Sequence, residues 1–139
     1  MKKVLMFFML MTVLLLGACG GDFATHTVDD AVQAFKEAGL EVEGVREMTK
    51  DDYGIVPMKD KEGVRFLIPS LGENNGGRIM SFDNEDDLDE VKKVYDDVGK
   101  ESAMLFTWTI KHKNILVQIN GDLEESKYNE YVKALETLE

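Results

Sequence analysis

The sequence predicts an α+β fold, a mainly antiparallel sheet with about three helices packed on one of its faces. Three observations point there. Apolar residues recur at spacings of three and four in three segments, near residues 28–38, 88–98 and 128–138. Between these segments lie short stretches in which apolar and polar residues alternate. The stretches are joined by connections of hairpin length, and hairpins pair strands antiparallel.

The first helix is expected from Thr27 to Gly39. Thr27 can cap it, Asp29 and Asp30 sit at its positive end, and Val28, Ala31, Phe35 and Ala38 form one apolar face. Gly39 is a natural stop. Leu40–Glu43 alternates as a strand does and can extend to Met48. Asp51–Gly54 reads as a turn. Ile55–Met58 reads as a short strand, which Pro57 places at an edge or an end. The charged run Lys59–Gly63 is a hairpin loop, Val64–Ile68 a strand, Ser70–Gly77 a loop rich in glycine and asparagine, and Arg78–Phe82 the returning strand.

The second helix, Glu85–Val98, carries Leu88, Val91, Tyr95 and Val98 on one face; Asp83 or Asn84 caps it and Gly99 closes it. A strand is expected from Ala103 to Lys111, with Phe106, Trp108 and Ile110 on one side. A turn at Lys111–Asn114 follows, then a strand at Ile115–Asn120 with Ile115, Val117 and Ile119 on a single face. The last helix is expected from Gly121 to Leu138, its face made by Tyr128, Tyr131 or Val132, Leu135 and Leu138.

The N-terminus is of another kind. Lys2 and Lys3 precede an apolar run, Val4–Leu16, broken only by Thr12 and followed by Gly17 and Ala18. A basic start, an apolar stretch too short to span a bilayer and a small-residue end describe a secretory signal peptide over residues 1–18. Leu16-Gly17-Ala18-Cys19 resembles the lipobox of bacterial lipoproteins. The resemblance implies cleavage after Ala18 and diacylglycerol on the sulfur of Cys19, the chain's single cysteine. Acyl chains on one residue would then hold the protein to a membrane. Residues 19–26 are expected to be the lipidated tether and 27–139 one domain, without a disulfide.

Removing Lys2 and Lys3 would take the net charge from −11 to −13. Such a surface disfavours nucleic acid and anionic headgroups.

Candidate chemistry is sparse. Asp83–Glu90 holds six carboxylates in eight residues, but Leu88 and Val94 stand where a calcium loop needs Gly and Glu. The acids instead suit a helix start. His26 and His112 belong to no metal-ligand spacing. Ser70, Ser81, Ser102 and Ser126 have no nucleophile-elbow context. The run Ser70–Arg78 leads into a strand, so it is no phosphate-cradling loop. It is a plain hairpin loop or a recognition loop built on Glu73, Asn74, Asn75 and Arg78. Phe106 and Trp108 could line a pocket, although a core face suits them better.

The stretch Asn114–Gly121, with the Lys-, Glu- and Tyr-rich segment after it, resembles small lipoproteins of Gram-positive bacteria with no assigned role; the resemblance carries no catalytic residue across. The expectation is therefore a non-enzymatic binding module of the cell envelope. It needs no cofactor and no metal. It would be held by its N-terminal lipid at the extracytoplasmic face of the cell membrane, facing an envelope protein or a small ligand. A small-ligand carrier and a carboxylate-based envelope hydrolase are the alternatives.

Overall fold

A computed structural model describes residues 23–139. The proposed signal peptide, Cys19 and the first residues of the proposed tether lie outside the described residues. The architecture is α+β: five strands, all antiparallel to their neighbours, in the order β1-β2-β3-β5-β4. The strands are β1 (Glu43–Glu47), β2 (Glu62–Leu67), β3 (Gly76–Ser81), β4 (Thr107–His112) and β5 (Ile115–Asn120). The helices are α1 (Val28–Glu37), the single turn α2 (Lys50–Tyr53), α3 (Glu85–Glu101) and α4 (Glu125–Leu135). Among the described residues no helix is long and apolar enough to cross a membrane.

The helices do not share one face, which corrects the expected two-layer arrangement. Side chains alternate across a strand, and here both faces are apolar. Ile115, Val117 and Ile119 of β5, with Phe66 and Ile79, meet α1 and α4. Leu116 and Met80, of the opposite parity, meet Leu88 and Val91 of α3. Buried residues on successive positions of β5 are the mark of a strand covered on both sides. In the larger core the rings of Phe35 and Tyr131 meet edge to face at 5.0 Å, and Phe66 packs beside both.

The helix starts form as the sequence suggests. Thr27 and Asp30 make a reciprocal capping box on α1, and the Asn84 side chain accepts the Asp87 N–H on α3. On α4, Tyr131 and Leu135 are buried in the larger core and Tyr128 and Val132 pack against it, as does Leu138 beyond the end of the helix.

Several boundaries move. β1 starts at Glu43 instead of Leu40. Ile55–Met58 is not a strand: Gly54 turns with φ +57°, Pro57 has no N–H to pair, and only Val56 is buried. β3 begins two residues early, because Gly76 and Gly77 pair with Leu67 and Phe66. A Cβ on Gly77 would lie 2.2 Å from the Gln118 carbonyl oxygen, so the glycine serves close strand approach. α3 runs through Gly99 to Glu101. Ala103–Leu105 is a 3₁₀ turn, and the strand starts only at Thr107.

The ordered fold reaches back into the expected tether. Phe23 packs against the smaller core. Buried Asn114 accepts the His26 N–H at 3.0 Å and donates to the His26 carbonyl at 2.8 Å, clamping the incoming chain to the β4–β5 turn.

Candidate functional site

The chain has three arginines, Arg46, Arg65 and Arg78. Register places them directly opposite one another on β1, β2 and β3. The same row continues through Gln118 of β5 to Thr109 of β4. Opposed residues of adjacent strands point to the same side, and this row faces the α3 side, because Val64, Phe66 and Ile79 beside it in sequence face the other core.

α3 packs over β4 and β5, and the segment carrying α2 reaches the same face through Val56 and the Asp52 carbonyl. Asp52 of α2 is the counter-charge. It accepts both Arg46 Nη atoms, at 2.7 and 3.0 Å, and the Thr49 N–H at 2.7 Å, and lies 3.9 Å from Arg65. The Arg46 hydrogen bonds, reinforced by those from Thr49, hold its buried carboxyl well below the usual carboxylate range despite desolvation.

Arg78 meets no carboxylate among the described residues. Its Nε–H donates to the Asp52 backbone carbonyl at 2.6 Å and its Nη1 to Gln118 Oε1 at 2.7 Å. Gln118 is buried and donates in turn to Thr107 Oγ1, whose hydroxyl donates to the Ile119 carbonyl at 2.6 Å. A chain of hydrogen bonds thus fixes the guanidinium plane. Arg65 donates to the Asn74 carbonyl.

Over this row lies a cleft in two parts. The polar part, about 430 Å³, is bounded by Arg65, Asn74, Asn75, the 103–106 segment and Asp122. The apolar chamber, about 350 Å³, lies between the α2 segment and α3 and is walled by Ile55, Val56, Val94, Tyr95 and Val98. Arg78, Leu105, Thr107 and Gln118 line both. Ile55 and Leu105 stand at the rim, 75% and 60% exposed. Burial raises the Tyr95 phenol above its ordinary value, and its Oη is buried with no hydrogen-bond partner among the described residues.

Of the recognition loop expected from sequence, Asn74, Asn75 and Arg78 line the cleft, while Glu73 stands exposed outside the lining. Cys19 lies outside the described residues. Phe106 does reach the cleft but is 42% exposed and belongs to no strand, which corrects its expected core position. Trp108 does not line it. It faces α4, stacks on Tyr128 at 4.3 Å and donates to the Leu123 carbonyl at 2.9 Å.

The acids of Asp83–Glu90 spread onto lysines: Glu85 and Asp89 onto Lys111, Asp87 and Glu90 onto Lys59. No group of three His, Cys, Asp or Glu among the described residues could hold a metal ion.

The sequence reading missed Arg46, Arg65 and Gln118. A usable signal existed in Val64-Arg65-Phe66 and Gly77-Arg78-Ile79, each a cation flanked by residues of the other face. Comparison with protein families, curated proteins and solved structures finds no match.

Proposed function

We propose that this chain is a membrane-anchored extracytoplasmic lipoprotein whose domain is a non-enzymatic binding module, with the cleft over β2, β3 and β5 as its ligand seat. The anchor rests on the lipobox-like Leu16-Gly17-Ala18-Cys19. One observation carries the binding reading: the arginine row with a single carboxylate in its midst, held rigid through Asp52, Gln118 and Thr107 beside an open cleft. Donors fixed before a ligand arrives lose little freedom on binding it.

A second reading, a small-ligand carrier, is favoured by the apolar chamber, whose volume of about 350 Å³ lies in the range of small-molecule pockets.

The test uses full-length protein made in a lipoprotein-processing bacterium. Intact mass should show loss of residues 1–18 and a diacylglyceryl addition in wild type, and no such addition in Cys19→Ala. A photo-crosslinking side chain at position 105 should capture a ligand in cells, while one at exposed Gln33 on α1 should not. An unmodified Cys19 overturns the anchor. Equal capture at both positions, or none at 105, overturns the seat.

A further inference from the structure

Resting on the cleft as ligand seat, we infer that it takes a small amphiphilic oxyanion, a carboxylate or phosphate head on Arg78 with an apolar body in the chamber beside Val56 and Val98. The first support is charge. Like charges directly opposite across strands repel, yet this acidic chain gathers all its arginines in one such row. Asp52 answers Arg46 and approaches Arg65. Arg78 has no carboxylate within reach among the described residues, so its charge stands without a direct ion-pair partner at the mouth of the chamber.

The second support is geometry. A guanidinium has five N–H donors. The two bonds from Arg78, to the Asp52 carbonyl and Gln118, fix its plane and leave the rest of the fork for a planar or tetrahedral oxyanion. Gln118 cannot swing away, since its amide also donates to Thr107.

The third support is contiguity. Arg78, Gln118, Thr107 and Leu105 line both the polar part and the apolar chamber, so a head on Arg78 has its body directed into the chamber without a gap. The chamber's roughly 350 Å³ is at the small end for ligand pockets, which suits a compact body over a long acyl chain. Tyr95, in the chamber wall, adds a hydroxyl without a partner among the described residues, the kind of orphan group that a bound oxygen satisfies. Exposed Asp51 and Asp122 stand at the rim, where water weakens their repulsion of an anion.

The test is a titration of full-length, processed protein in nanodiscs of zwitterionic phosphatidylcholine, followed by ¹⁵N NMR of the Arg78 side chain and the Gly77 amide. Empty nanodiscs give the blank. The probes are hexanoate, hexyl phosphate, hexan-1-ol and hexylammonium. At least one anion should bind at one site, at least about tenfold tighter than the alcohol or the cation. The tighter anion identifies the head as carboxylate or phosphate. Arg78→Gln should weaken that anion about tenfold or more.

Because Arg78 also ties two strands to α2, a second variant is needed. Leu105→Glu changes a side chain that is 60% exposed and places a carboxylate beside the seat. It should weaken the anion similarly with the amide spectrum otherwise unchanged. Alcohol binding as tight as the anion, or unchanged affinity in a folded Leu105→Glu protein, overturns the inference. If neither anion binds wild type, the ligand class falls, while crosslinking at position 105 decides separately whether the cleft is a seat.

Discussion

Asp52→Asn removes one charge and almost no volume, so it isolates what the carboxylate does for the arginine row. The magnitude follows from the contacts. Asp52 is 7% exposed and accepts two bonds from Arg46 and two from Thr49, its N–H and its hydroxyl. Arg46 is 47% exposed on its side chain, so solvent screening limits that pair to about 1 kcal/mol. The cap bond, kept in neutral and weaker form by asparagine, loses about 0.5–1 kcal/mol. Uncovering Arg65 adds a few tenths of a kcal/mol. The expected loss is about 2 kcal/mol at pH 7.

Its pH dependence has a defined sign. The folded carboxyl titrates below its unfolded value because of Arg46 and then Thr49. Its contribution is therefore fully present above the unfolded value of about 3.9 and is lost as pH falls below that toward the folded value. Urea unfolding of wild type and variant, from pH 7 down to pH 2.5, should show a gap of about 2 kcal/mol that shrinks progressively below about pH 4. A gap under about 0.5 kcal/mol at neutral pH, or one constant across the range, would refute the assignment of Asp52 as the row's counter-charge.

Three further outcomes are expected. Tyr131→Phe deletes the hydroxyl that donates to the Glu41 carbonyl at 2.6 Å and should cost about 1 kcal/mol in urea; no loss would mean that water replaces the bond. Asn114→Ala removes both bonds to the His26 backbone and should cost about 2 kcal/mol, with faster amide exchange at residues 23–27; unchanged exchange there would show that the clamp does not hold the entering chain. Gly77→Ala sets a Cβ 2.2 Å from the Gln118 carbonyl oxygen and should cost about 3 kcal/mol or more; a variant as stable as wild type would mean that β3 and β5 separate more easily than their register implies.

The parts of the fold that the sequence disclosed are those whose signal is local. Thr27 with Asp30, the 3.6-residue stripe of α3 and the alternation of Ile115, Val117 and Ile119 each follow from neighbours within a few positions. What failed depended on distant partners. Ile55–Met58 has strand-like composition, but it pairs with no strand of the sheet and instead buries Val56 in the smaller core. Gly76 and Gly77 look like loop residues because their value lies in the absence of a side chain facing Phe66 and Gln118. The second layer was hidden in Leu116 and Gln118, which read as the polar-side positions of β5 although both are buried.

The candidate site was hidden for a related reason, and its case also limits what net charge can say. A balance of −11 predicts repulsion of anions only if charge is spread evenly. Here the acids concentrate on helix starts and on lysine partners, as along α3 with Lys59 and Lys111, while the arginines are collected by strand register onto one patch. At an ionic strength of about 0.15 M, fields decay over roughly 8 Å. A ligand at Arg78 therefore responds to Arg65, Asp52, Gln118 and the rim acids Asp51 and Asp122 far more than to distant carboxylates. Composition sums over the whole surface, and register decides which charges meet. An acidic protein can thus present an arginine that no carboxylate among the described residues pairs, and only the pairing of β1, β2 and β3 makes it visible.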